Sequence, residues 1–227
     1  MSKRPERTRA RVLIVEDHPM FRERLAYLIS QEPDMEVCGE ADNIRTGFEL
    51  AQTSNPDVAI VDVTLKGSSG LELIKNLKAA GLEVPVLVLS MHDESLYAER
   101  VLRAGAKGYI TKHEASAKVM TAVRQVLAGE IFLGTTAATK ILSNLAGRGN
   151  ALDGVARLTD RELEVFELIG RGQTTREISI RLSLGGATVE TYRARIKEKL
   201  RLENAAQLQL EATRWLHRAE HSVAVGA

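Results

Sequence analysis

Through the first ~128 residues, short apolar runs alternate with longer amphipathic stretches. The runs are Val12-Val15, Glu36-Glu40, Val58-Val61, Val86-Leu89 and Gly108-Ile110, and helix patterns lie between them near 19–31, 43–54, 70–79, 94–103 and 114–128. Continuous apolar runs belong to strands covered on both faces. The alternation therefore predicts a parallel sheet with helices on either side, five strands and five helices in all. Pro19 suits a first helical turn, while Gly81, Gly105 and Gly129 suit helix ends. From 129 to about 157 the pattern dissolves into Gly, Ala, Thr, Ser and Asn, which predicts a linker in which 137–146 could form a short helix. Only helical patterns follow, near 159–171, 174–182, 187–201 and 204–218, broken by Gly170/Gly172 and Gly185-Gly186. They predict a compact four-helix unit.

Composition narrows the field. The 227 residues are 44% hydrophobic and 27% charged, globular values that argue against disorder throughout. A net charge of +1 supplies no global field for nucleic acid or membrane, so any such site must come from local clustering. Cys38 is the single cysteine, which excludes disulfide scaffolds, and the lack of a Cys–His ligand set excludes zinc modules. No run of about 18 apolar residues exists, and MSKRPERTRAR has no long apolar segment, so a cytoplasmic protein with no membrane partner is expected. The basic arm (Lys3, Arg4, Arg7, Arg9, Arg11) reads as a solvated tail.

Candidate chemistry lies at the strand ends. In an open parallel sheet, the carboxyl ends of strands face the crevice where ligands bind. Glu16 and Asp17 close the first run and Asp62 closes the third. Gathering them crowds like charges and raises their pKa values unless a cation compensates. Oxygen ligands of this kind suit Mg²⁺, which takes one or two protein carboxylates with waters and a phosphate oxygen. Any one such acid could simply be solvated or cap the next helix; three together fit that reading less well. Ser90 ends the fourth run and Lys112 follows the fifth, bringing a hydroxyl and an ammonium to the same crevice. The set reads as a magnesium-assisted site in which a carboxylate oxygen attacks phosphorus.

In Glu16-Asp17, the Asp62 strand end, Gly67 and Gly70, Ser90, and Gly105-Ala106…Gly108-Tyr109…Lys112, residues 11–128 closely resemble the receiver domains of bacterial two-component response regulators. The resemblance implies a flavodoxin-like, doubly wound (βα)5 fold. It also implies that Asp62 is the phosphoacceptor, charged from a phosphohistidine of a sensor histidine kinase. Mg²⁺ would be held by Glu16, Asp17 and Asp62 with the Thr64 backbone carbonyl, and Lys112 would bind the phosphoryl group. Ser90 and Tyr109 would form the switch pair, with Ser90 drawn toward the new phosphate oxygens and Tyr109 moving into the vacated space. Tyr109 also fits an ordinary half-buried strand aromatic. The helix near 94–103 is then the signalling face. Related receivers often carry Pro where Lys66 stands, which affects loop rigidity and not the ligand set.

In the second half, Val189, Tyr192, Ile196 and Leu200 fall on one apolar stripe of a helix over 188–201. Opposite lie Glu190, Thr191, Ala194 and Glu198, and Arg193, Arg195, Lys197, Lys199 and Arg201 spread around the polar arc. A helix, a tight Ser183-Leu184-Gly185-Gly186 turn and a basic helix make the geometry that seats the second helix in a DNA major groove. A basic helix face can also be merely solvated. However, Leu158-Thr159-Asp160-Arg161-Glu162-Leu163-Glu164-Val165, Gly172, Glu177-Ile178, Leu182, Thr188-Val189-Glu190, Tyr192-Arg193, Ile196 and Lys199-Leu200 resemble the LuxR-type helix-turn-helix domain. A receiver joined to that module is similar to the NarL/FixJ subfamily and implies a transcription regulator binding promoter DNA. The implied DNA contacts are Glu190, Thr191 and Ala194 toward bases and Arg193, Arg195, Lys197 and Lys199 toward phosphates, with Thr188 and Val189 also in the interface. On the last helix, Leu208, Ala212 and Trp215 form a stripe suited to the core. In the resembling domains that helix also pairs two copies, which implies a homodimer when phosphorylated.

The expected organisation is a basic arm (1–10), a receiver (11–128), a linker (129–156), a small all-α four-helix DNA-binding domain (157–218) and a tail (219–227). An aspartyl-phosphate hydrolase would want a second Asp two residues after the nucleophile, where Thr64 stands, so no enzyme is expected. A receiver acting through protein contacts alone remains the other alternative.

Overall fold

The computed structural model describes residues 9–65, 68–91, 94–145 and 154–221. The first eight positions of the basic arm, Lys66-Gly67, His92-Asp93, residues 146–153 of the expected linker and residues 222–227 lie outside them.

Every predicted apolar run is a strand. They are β1 (Ala10–Val15), β2 (Met35–Ala41), β3 (Val58–Asp62), β6 (Val86–Ser90) and β7 (Gly108–Thr111). A hairpin that the pattern did not predict, β4 (Thr64–Leu65) with β5 (Ser68–Ser69), follows β3. The five long strands pair in parallel in the order β2-β1-β3-β6-β7. The chain thus winds outward in both directions from the β1/β3 junction, the position where doubly wound sheets open a crevice.

Helices α1 (Pro19–Ser30), α2 (Ile44–Thr53), α3 (Gly70–Ala79), α4 (Glu94–Ala104) and α5 (Lys112–Leu127) flank the sheet. Side chains alternate across a strand, so Val12, Ile14, Val58, Ile60, Leu87, Leu89 and Ile110 share one face. They pack there with Leu25 and Ile29 of α1 and Val119, Val123 and Val126 of α5. Val15 points the other way and packs on the Gly47 position of α2, where a Cβ would lie 3.0 Å from a Val15 methyl, closer than ordinary contact. With both faces covered, β3 and β6 are buried at every residue, which is why they read as unbroken apolar runs.

The sheet does not end at β7. Tyr109 N–H donates to Phe132 O at 2.9 Å, and Phe132 N–H donates to Lys107 O at 2.9 Å. Residues 129–134, expected in the linker, therefore finish the first unit and cover the exposed backbone of its edge strand. The chain divides into compact units at Met1–Gly134 and Thr135–Ala227. The second begins with α6 (Thr135–Leu145), the short helix that 137–146 allowed.

That second unit also contains a 3-10 turn (Val155–Arg157), α7 (Asp160–Gly170), α8 (Thr175–Arg181), α9 (Gly186–Leu200) and α10 (Ala205–His221). Thr159 with Glu162, and Thr174 with Glu177, form reciprocal capping boxes that satisfy the first N–H groups of α7 and α8. Phe166 of α7 and Trp215 of α10 meet in the core at 5.6 Å between ring centroids. A side chain at Gly170 would come within 2.7 Å of Ala212 O, so α7 and α10 approach backbone to backbone there. Among the described residues no helix is long and apolar enough to cross a membrane.

Candidate metal centre and nucleic-acid interface

Strand register assembles the acidic site. Val15 pairs with Val61, so the next residues, Glu16 and Asp62, emerge side by side at the carboxyl ends of β1 and β3. Asp62 pairs with Leu89, after which Ser90 ends β6; Ser90 pairs with Thr111, after which Lys112 opens α5. Four successive strand ends therefore present Glu16, Asp62, Ser90 and Lys112 to one crevice.

The contacts there are short and shielded from water. Lys112 Nζ donates to Asp62 Oδ2 at 2.8 Å and lies 2.6 Å from Glu16 Oε2, while Thr64 N–H donates to Asp62 Oδ1 at 3.2 Å. The Lys112 ammonium also sits 4.7 Å from the centre of the Phe21 ring. Arg22 donates to the Glu16 carbonyl at 2.7 Å, steadying the end of β1. Glu16, Asp17, Asp62 and Lys112 are all buried. Gly70 is required at the entrance to α3, because a Cβ there would lie 1.9 Å from Asp62 O.

Electrostatics follow from that geometry. Burial first, and then the neighbouring Glu16 charge, push the Asp62 carboxyl up to about 7 against the opposing pull of Lys112 and the Thr64 N–H. Burial alone would lower the Lys112 ammonium. The facing Asp62 and Glu16 carboxylates outweigh it and hold the group above its ordinary value.

Glu16, Asp17, His18 and Asp62 each offer a ligand atom, all within 4.8 Å of one another. Three carboxylates facing one ammonium leave excess negative charge in a buried space, and hard oxygen donors match a divalent ion such as Mg²⁺. The residues fit the group. His18 is an addition that sequence reasoning did not single out. Its Nδ1 lies 2.8 Å from Asp17 Oδ1 and 3.1 Å from Glu16 Oε1. Its only sequence signal is adjacency to the acidic pair.

Ser90 and Tyr109 are fully buried. The Tyr109 ring thus already lies inside the first unit in this conformation, whereas the switch expectation had it moving inward and the alternative had it half-buried. Of α4, Tyr97, Ala98 and Val101 are buried, while Glu99, Arg100 and Arg103 reach solvent.

On α9, Thr188, Glu190, Thr191, Ala194 and Arg195 are exposed, and Arg193, Lys197 and Lys199 are partly so. Val189, expected among the DNA contacts, is completely buried with Ile196, because the same face that carries the apolar stripe packs on the other helices of the unit. Lys199, expected at a phosphate, instead donates to Glu162 Oε2 at 2.6 Å, since the last turn of α9 returns over the start of α7. Burial would raise the Glu162 carboxyl, but Lys199 and the Thr159 donors prevail and hold it below its ordinary value. Arg161 pairs with Glu164 inside the unit and donates to Leu182 O at 2.9 Å, tying α7 to the end of α8. Leu208, Ala212 and Trp215, a stripe suited to the core that the resemblance also implied for a dimer contact, are buried within the unit against α7 and do not face outward. The outward strip of α10 carries Leu210, half exposed, in a shallow groove with Leu202, Gln207, Glu211 and Arg214.

Comparison with known proteins matches residues 12–124 to the response regulator receiver domain and residues 156–212 to the bacterial regulatory proteins, luxR family. The chain is 36% identical over 207 residues to the transcriptional regulatory protein LiaR of Bacillus subtilis (strain 168), covering 90% of this chain and 97% of LiaR. It is 32% identical over 209 residues to the nitrate/nitrite response regulator protein NarL of Escherichia coli (strain K12), covering 92% and 95%. In fold it is similar to RcsB from Salmonella enterica serovar Typhimurium, solved bound to promoter rprA in the presence of the phosphomimetic BeF3-. That likeness has a TM-score of 0.58 at 22% identity, over 90% of this chain and 98% of RcsB.

Proposed function

Because this chain belongs to the response regulators that join a receiver to a LuxR-type DNA-binding domain, a family of transcription regulators, we propose that it is charged on Asp62 by a sensor histidine kinase in the cytoplasm. The observation that carries this reading is the register-driven meeting of Glu16, Asp17, Asp62 and Lys112 in one buried crevice. An Asp62 oxygen forms the new P–O bond as the P–N bond of a phosphohistidine breaks, and the departing imidazole nitrogen keeps the bonding pair. Lys112 is within hydrogen-bond reach of Asp62 and takes the phosphoryl oxygens. Glu16, Asp17, Asp62 and the Thr64 carbonyl would hold Mg²⁺, which supplies charge neutralisation to the transferring group when bound. His18 steadies the Asp17 and Glu16 carboxylates.

Phosphorylation at Asp62 adds charge and acceptor oxygens beside Ser90, and the Ser90–Tyr109 pair carries the change to α4. The output unit within 157–218 then binds paired half-sites on duplex DNA as a homodimer. Thr188, Glu190, Thr191, Ala194 and Arg195 form the outward face of α9, and a second copy is expected on the Leu210 strip of α10. The test is labelling by a small phosphodonor with Mg²⁺. Wild-type protein should gain acid-labile phosphate and Asp62→Asn none. Label retained on that variant overturns the assignment.

A further inference from the structure

The outward face of α9 is mixed in charge and carries two carboxylates. Glu190 and Glu198 are exposed there with Thr191, Ala194 and Arg195. A carboxylate facing a duplex is repelled by phosphates, so it favours binding only where it meets a hydrogen-bond donor on a base edge.

Glu190 is held in place before any duplex arrives. Thr175 Oγ1, on α8, donates to Glu190 Oε1 at 2.6 Å. Arg193 Nε lies 3.7 Å from the same oxygen, and its side chain is 17% exposed. One carboxylate oxygen is thus engaged across the helix-turn-helix and along α9, which removes rotamer freedom that binding would otherwise have to remove. The side chain nevertheless remains 60% exposed.

Resting on the DNA-binding reading above, we propose that Glu190, oriented by Thr175, is a specificity-determining residue that selects cytosine in the major groove. An ionised carboxylate only accepts. Guanine and thymine present only acceptors and a methyl group in that groove. Adenine's N6 donor lies between two acceptors, its own N7 and the O4 of the paired thymine, which repel a second carboxylate oxygen, whereas cytosine's N4 donor has an acceptor, the O6 of the paired guanine, on one side only. Thr191 spends its one hydroxyl proton on Ala187 O at 3.0 Å, so it has none to donate to a base acceptor. With Ala194 it offers methyl surface suited to a thymine methyl. Thr175 is a positioning residue that acts through Glu190.

The test selects duplexes from a randomised pool with the full-length chain, activated by a small phosphodonor and Mg²⁺. Glu190→Ala, Thr175→Val and Thr175→Ser are run alongside wild type, with circular dichroism confirming the fold. Wild type should enrich a half-site with an invariant cytosine, and replacing that base should weaken binding about tenfold to hundredfold. Glu190→Ala should lose preference at that position alone. Thr175→Val should weaken it several-fold with an unchanged salt dependence, and Thr175→Ser should restore it. A selected site with no fixed cytosine, or one whose cytosine preference survives in Glu190→Ala, overturns the proposal while leaving DNA binding intact. An unchanged preference in Thr175→Val overturns the positioning role. Absence of any enriched duplex removes the DNA-binding reading and this proposal with it.

Discussion

Lowering the pH from 8 to 6 should weaken Mg²⁺ binding by about an order of magnitude, because proton and metal compete for one carboxylate. Burial and the Glu16 charge push the Asp62 carboxyl to about 7 in the metal-free protein. At pH 8 about one Asp62 in ten is then protonated and at pH 6 about nine in ten, so the apparent affinity falls about tenfold, ~1.4 kcal/mol. Isothermal titration calorimetry in two buffers of different ionisation enthalpy reads both quantities, the affinity and the proton released on binding. Release should approach one proton at pH 6 and little at pH 8. His18 also faces the site, so two controls apportion the effect: the pH dependence should persist in His18→Asn and vanish in Asp62→Asn. An affinity flat from pH 6 to 8, or a dependence lost in the histidine variant instead, would refute the reasoning. The same shift sets metal-free stability. A carboxyl whose folded value lies above its unfolded 3.8 binds protons more tightly when folded, so stability falls as pH rises from about 4 to about 7 and then levels. Thermal unfolding of the metal-free protein should therefore occur at higher temperature at pH 6 than at pH 8, and Mg²⁺ should recover the loss at pH 8.

Trp215→Ala should cost about 3–5 kcal/mol, enough to unfold a domain this small, because the indole is 2% exposed and packs on Phe166. Limited proteolysis should degrade the C-terminal unit of Trp215→Ala and spare the first unit, whereas Leu210→Asp should leave both folded; a folded, monomeric Trp215→Ala would return that residue to the dimer contact. Arg195→Ala, on the exposed face of α9, should lower the slope of log affinity against log salt by ~0.9 without changing the preferred sequence, as read by gel shift at several salt concentrations.

Much of the first unit was legible in the sequence because a strand covered on both faces leaves an unbroken apolar run, and β1, β3, β6 and β7 do so. Glu16, Asp17, Asp62, Ser90 and Lys112 stood out because each ends or follows such a run. The hairpin β4/β5 was illegible: two-residue strands have too few positions to show a period. Residues 129–134 read as linker because their role is backbone pairing at a sheet edge, which imposes no side-chain pattern. In the second unit, a helical wheel identifies an apolar face without saying which neighbour covers it. The stripes carrying Val189 and carrying Leu208, Ala212 and Trp215 were legible as apolar faces, and all four residues lie inside the domain; it was the resemblance that also set Val189 among DNA contacts and the last helix at a dimer seam.

The order of residues along the chain determined the two architectures, the strand-end acids and the polar face of α9, since each depends on a local period of burial or charge. Tertiary structure decided which of those groups meet. The Val15–Val61 register sets Glu16 beside Asp62, the first turn of α5 brings Lys112 between them, and the crossing of helices gives Lys199 to Glu162 and Thr175 to Glu190. Such contacts join residues 15 to 96 positions apart, a separation that no local period encodes and only packing can close.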